Sequence, residues 1–148
     1  MSSGPFDLSC VIERIQSLQP DPLSFVGSVV EYSKVTDLSA VSVPAAYVLM
    51  GSERGIPGNG SRAQVAEAVF GIVIVVRNYG LGIEGMIHEA NPLIGQVRDL
   101  MIGWMPNKRC TTGVQWVKGD VLDYDAGTLV WMDVFTVNHI IGGMRCQK

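Results

Sequence analysis

The stretch Gln64–Arg77 constrains the fold more than any other part of the chain. Written as an extended strand, it puts Ala66, Ala68, Phe70, Ile72, Ile74 and Val76 on one face. Val65, Val69, Gly71, Val73 and Val75 lie on the other, and Glu67 interrupts that second face near its start. A strand that is apolar on both sides has to be covered on both sides, so it belongs in the middle of a sheet. Its uncharged run, Ala68 to Val76, is nine residues long, well short of the roughly 18–20 that a membrane-spanning helix needs.

The elements around it follow from periodicity and punctuation. Leu8, Val11, Ile12, Ile15 and Leu18 fall at helical spacing with a polar back of Glu13, Arg14 and Gln16. Asp7 is the expected cap, and Pro20 and Pro22 the stop. Phe25–Val30 reads as a short strand, followed by a polar stretch through Ser42 and a second strand, Val43–Met50. Gly51–Ser61, with four glycines, Pro57 and Asn59, reads as a long loop. A second helix is expected over Ile83–Trp104. Pro92 within it either kinks it or, with Asn91 as cap, starts it afresh. Two last strands, Gly113–Tyr124 and Thr128–Ile141, flank a tight Asp125-Ala126-Gly127 turn. The order α, β, β, β, α, β, β predicts an α+β fold. It implies a mixed or antiparallel sheet of about five strands carrying two main helices, in one domain over residues 1–148. Residues 1–6 and 142–148 are expected to be loose tails.

Composition bounds the function. Of 148 residues, 47% are hydrophobic and only 17% charged, where about a quarter is usual. Surface-to-volume scaling limits how much of that surplus one small core absorbs, which points to apolar surface buried against other chains. A net charge of −3 leaves no basic footprint for gripping phosphates. Cys10, Cys110 and Cys146 are odd in number and scattered, without zinc spacing or a disulfide framework. The N-terminus lacks a basic segment and an apolar segment, so no signal peptide is expected.

Individual motifs compete with plainer readings. Gly80-Leu81-Gly82-Ile83-Glu84-Gly85 is a literal GxGxxG between a strand and a helix. The acid that should end the next strand is missing, since residues 100–105 are still in the expected helix, so a glycine-rich turn is the better reading. Gly55–Arg62 has Walker-A glycine spacing without its lysine or its following helix. Asp120, Asp123 and Asp125 fail as a calcium loop because the twelfth position is Val134. Cys110 follows Lys108-Arg109, which would lower its pKa, yet no base accompanies it. His88 and His139 stand apart. Trp104, Trp116 and Trp131 are expected in core or interface packing. Asp133, between Trp131 and Phe135 on one strand face, is expected to pair with a base across a subunit contact or to sit at an interface edge. No catalytic or metal site and no cofactor is expected.

Four stretches, taken together, resemble one family. They are Ala46-Tyr47-Val48-Leu49 leading to Glu53-Arg54; Val69 to Tyr79, ending Arg-Asn-Tyr; Leu93 to Pro106, ending Gly-Trp-Met-Pro; and Gly119 to Phe135, ending Trp-Met-Asp-Val-Phe. In this order, over about residues 8–140, they are similar to the tail terminator proteins of long-tailed phages. The resemblance implies a virion protein of the tail and neck, assembled in the host cytoplasm. It implies a homo-hexameric ring that caps the tail tube, stops its polymerisation and meets the neck or head-completion protein. DNA would pass through the lumen without specific binding, and no membrane is involved. Glu53, Arg54, Arg62, Arg77 and Asp133 are the expected contacts to the tube or a neighbouring subunit, and the Gly51–Arg62 loop the expected contact element. Another neck or tube protein, a dimeric α+β binding module, and a small nucleotide-binding protein using Gly80, Gly82 and Gly85 are the alternatives.

Overall fold

A computed structural model of the chain describes residues 3–28, 42–58, 63–78, 80, 82–125 and 127–142. Helix α1 (Ser9–Ile15) continues into one 3-10 turn, Gln16–Leu18. Strands β1 (Phe25–Ser28), β2 (Ala45–Ile56) and β3 (Gln64–Arg77) come next, then helix α2 (Ile83–Met101) and strands β4 (Gln115–Asp125) and β5 (Thr128–Ile141). The five strands form one sheet in the order β1-β2-β3-β5-β4. β1 runs parallel to β2, and every other neighbouring pair is antiparallel. The sheet is mixed and α+β, and β3 is its central strand, as its doubly apolar sequence requires.

Both helices pack on one face. Val11 and Ile15 of α1 join Met86, Ala90, Leu93, Ile94, Val97 and Met101 of α2 over Phe70, Ile72, Ile74, Leu129 and Phe135. The opposite face carries a smaller buried cluster of Ala45, Tyr47, Val73, Val75 and Val130. Residues alternate between these clusters along β3, which explains the two apolar faces.

Several sequence expectations need correction. Gly51–Ile56 is strand, not loop. Glycines score poorly in strands, but here the ladder with β3 holds them. A bulge at Gly51 resets the register between Met50 and Ser52. A Cβ at Gly51 would meet the Val69 carbonyl oxygen at 2.9 Å, so the close approach requires glycine there. Residues 3–6 are not a loose tail. Phe6 is buried against Phe70 and His139, and Ser3 Oγ accepts the Gly142 N–H. α2 is continuous through Pro92. It stops at Met101 rather than Trp104, because Ile102 turns extended and Gly103 takes φ +84°. Asp7 caps α1 from one position further out than expected, its Oδ1 accepting the Ser9 N–H and Oγ–H. The connection between β4 and β5 is as tight as expected: Asp125 faces Thr128 across the ladder, and Gly127 has φ +77°. Val29, Val30, Arg62 and Cys146 lie outside the described residues.

Candidate assembly interface

The two edges of the sheet differ. β1 is four residues long. β4 is eleven residues long and exposed along most of its length. Its large apolar side chains face solvent: Trp116 is 42% exposed, Val117 49%, Val121 37% and Leu122 46%. Ile102 and Met105, also exposed, follow α2. Their segment is tied to the start of β4 by Gly103 N–H to Val114 carbonyl and Val114 N–H to Trp104 carbonyl bonds. Among the described residues, Ile83 is the one other exposed large hydrophobic. The apolar surplus of the composition therefore collects along one edge and its corner, the pattern of an interaction surface.

Two bulges shape this edge. The β4–β5 register skips at Val117 and again at Leu122, so neither faces a β5 residue. The ladder pairs Trp116 with Phe135, Gly119 with Asp133, Val121 with Trp131 and Tyr124 with Leu129. These positions share the helix-covered face. Lys118, Asp120, Asp123 and Asp125 face Val134, Met132, Val130 and Thr128 on the other side. β4 is thus apolar towards the helices and charged on its back. Bulges twist an edge and spoil a flat ladder, which discourages simple strand addition.

Behind the edge lies a buried polar pin. Asp133 is fully buried on β5. Arg98 of α2 grips it through Nε to Oδ2 and Nη2 to Oδ1, both at 2.8 Å. The indole N–H groups of Trp131 and Trp116 donate to Oδ1 at 3.0 and 3.1 Å. The Asp133 carboxylate holds the Arg98 pKa above its usual value, the direct hydrogen bond being the main cause. The Arg98 guanidinium also stacks 4.6 Å from the Trp116 ring centre. Gly119 makes room for the pin, because a Cβ there would lie 2.6 Å from Asp133 Oδ1 and 2.9 Å from Arg98 Nη2. The base expected for Asp133 on another subunit is supplied by α2 of the same chain. Trp116 is thereby locked with one ring face on Arg98 while much of it stays exposed.

Of the other sequence-selected residues, Glu53, Arg54 and Arg77 do not gather at this edge. Glu53 and Arg54 lie within β2 on opposite faces and do not pair with each other. Glu53 Oε2 accepts the Phe6 N–H at 2.8 Å and lies 2.6 Å from His139 Nε2. Arg54 pairs with Glu67 across the β2–β3 ladder at 2.8 Å, its side chain 66% exposed. Arg77, at the far end of β3, donates from Nε to Thr128 Oγ1. Sequence reasoning missed Arg98, Val117, Val121 and Leu122. The one signal available was the high apolar content of a strand that also carries Lys118, Asp120 and Asp123.

The alternative chemistry finds no support in the fold. β3 is antiparallel to both neighbours, and β4, which follows α2, is separated from β3 by β5, so the turn before α2 does not lie between adjacent parallel strands of the kind that hold dinucleotides. Gly80 and Gly82 have ordinary φ and room for a Cβ, so neither requires glycine. Glu84 sits in the first turn of α2, where an anion would bind. Burial pushes the Cys110 thiol pKa up, against the lowering expected from Lys108 and Arg109. Among the described residues no cluster of His, Cys, Asp or Glu suits a metal ion, and no helix is long and apolar enough to cross a membrane.

The model of one family, the phage tail terminator proteins, matches residues 1–145. The chain belongs to the phage tail terminator family. It is accordingly a structural protein of a virion tail. No curated protein matches the sequence. Among solved structures, a chain of the virion of a native gene transfer agent particle is similar, at 14% identity and a TM-score of 0.49. That match covers 85% of this chain and 84% of the other. Membership places the exposed β4 edge in a structural protein of a virion tail.

Proposed function

We propose that this terminator subunit closes into a homo-hexameric ring on the tail tube, stops tube polymerisation and presents a surface to the neck or head-completion protein. The observation that carries the reading is the eleven-residue β4 edge, with Trp116, Val117, Val121 and Leu122 exposed on it. Removing such side chains from water favours association by about 25 cal/mol per Å² of apolar area. A contact repeated head to tail closes into a ring when its rotation closes. Asp133 serves the contact indirectly, by fixing Arg98 and Trp116. Arg54, largely exposed beside Glu67, Arg62 and Arg77 are the proposed contacts to the tube or a neighbour, and Glu53 holds the N-terminal segment through the Phe6 N–H. The net negative chain suits a lumen through which DNA slides without sticking. Assembly takes place in the host cytoplasm, before the finished tail joins the head.

The test uses the bulged positions, which are least tied to the ladder. A Val117→Arg, Leu122→Arg double variant is expected to fold normally, since exposed substitutions change stability by about 0.5 kcal/mol or less. It is expected to stay monomeric by light scattering and to give tails of aberrant length or tails that fail to join heads. Normal rings and normal tails from this variant would remove β4 from the reading. A wild-type chain that stays monomeric at high concentration and is absent from purified virions would remove the ring.

A further inference from the structure

We infer that Trp116 is the anchor of the subunit contact, held in the free subunit in the posture in which the next copy covers it, with Arg98 and Asp133 as its positioning residues. This rests on the ring reading and adds which side chain dominates the contact and what prepares it.

The exposed apolar side chains of the edge are not alike. Val117 and Leu122 stand at the bulges, opposite no β5 residue. Trp116 is fixed at two points. Its indole N–H donates to Asp133 Oδ1 at 3.1 Å. Its ring lies 4.6 Å from the Arg98 guanidinium carbon. Both supports are themselves immobile, because Arg98 and the fully buried Asp133 hold each other through two bonds of 2.8 Å. The indole nevertheless stays 42% exposed. Ordering a free side chain on association weakens binding by about two- to tenfold, a loss that the fold has already removed at Trp116.

Its place along the edge suits an anchor. Val114, two residues earlier, is bonded to Gly103 and Trp104, which joins the segment of exposed Ile102 and Met105 to the strand just before Trp116. Val121 and Leu122 follow it along β4. Protein contacts draw most of their strength from a few central aromatic or arginine side chains, ringed by near-neutral neighbours that exclude water.

Charge decides what kind of occupant fits. An indole beside a guanidinium is also the pattern on which nucleic-acid bases stack. Here the Arg98 charge is matched by Asp133, and Lys118 pairs with Asp120 at 3.3 Å. The remaining charges of β4, Asp123 and Asp125, repel phosphates. The occupant is therefore protein surface, and on the ring reading it is the next copy.

Footprinting and truncation test the anchor. Hydroxyl radicals oxidise exposed indoles, and peptide mass spectrometry reads the site. In wild type, Trp116 is expected to become several-fold less oxidised on passing from dilute monomer to ring. Trp116→Ala leaves Asp133 bonded to Arg98 and Trp131, so its monomer is expected to keep its circular dichroism. Its self-association is expected to weaken about 30-fold or more, against less than about fivefold for Ile102→Ala or Leu122→Ala. Arg98→Lys keeps a cation beside Asp133 and takes the flat guanidinium from the indole, so assembly is expected to weaken about two- to tenfold with Trp116 itself intact. A Trp116 equally oxidised in ring and monomer would overturn the anchor, whatever the variants do. Trp116→Ala rings that form as readily as wild type would also overturn it. Arg98→Lys rings of wild-type affinity would overturn the positioning. In each case the ring reading stands. A wild type that never assembles would overturn both.

Discussion

Two arginine–carboxylate pairs in this molecule have the same 2.8 Å separation and very different surroundings. Arg98 and Asp133 meet beneath the β4 edge, where the carboxylate is fully buried and two indole N–H groups complete its bonding. Arg54 and Glu67 meet across the β2–β3 ladder with the arginine largely in water. Distance alone ranks them equal. Burial separates them, because an ion pair in water gives up little when broken, whereas breaking a buried one strands a charge. The buried pair ties α2 to the β4–β5 hairpin and sets the posture of Trp116. The exposed pair decorates a strand.

The largest effect is expected from Asp133→Ala. It leaves Arg98 and two indoles without their acceptor and is expected to cost about 3–5 kcal/mol in urea unfolding. A loss as small as that at Arg54 would erase the contrast. Gly119→Ala comes next. Its Cβ would collide with Asp133 Oδ1 and with Trp131 Cζ2, each at 2.6 Å, so about 1–3 kcal/mol is expected. The Trp116 fluorescence should change as the pin loosens. Arg54→Ala is expected to cost about 0.2–1 kcal/mol, a difference that shrinks further in high salt. If its cost persists at high salt, the pair is less solvated than its exposure indicates.

The smallest effect concerns Asp7, an exposed carboxylate outside both pairs. Its bonds from Ser9 N–H and Oγ–H hold its pKa below the ordinary value. A carboxylate with a depressed folded pKa contributes stability above its unfolded pKa of about 3.9 and loses it as pH falls through the folded value. Melting curves from pH 6 to pH 3 should therefore show wild type losing a small advantage over Asp7→Asn on the acid side. A difference that does not change with pH would mean that Asp7 acts only as a neutral cap.

Much of the fold was legible because its signals are local. The two apolar faces of Gln64–Arg77 marked a central strand, and β3 is central. Helical spacing placed α1 and α2, and Asp125-Ala126-Gly127 marked the final hairpin. The errors came where distant partners overrode local chemistry. Glycines at 51 and 55 read as loop, yet pairing with β3 keeps that segment extended. Phe6 read as part of a tail, yet Phe70 and His139 give it a place in the core.

The assembly surface was less legible for the same reason. Nothing in Trp116-Val117-Lys118 or Val121-Leu122-Asp123 says that the strand is an edge, because edge or centre is decided by which strands are absent beside it. Nor does Asp133 announce that its base is Arg98, thirty-five positions earlier. By itself the sequence determined the α+β class, the central strand, the helical stripes, the apolar surplus and the resemblance to a terminator. The tertiary structure decided the strand order, the two bulges, the buried pin and the edge on which the surplus comes to rest. Periodicity is written into neighbours along the chain, whereas register and exposure come from contacts between residues far apart in it.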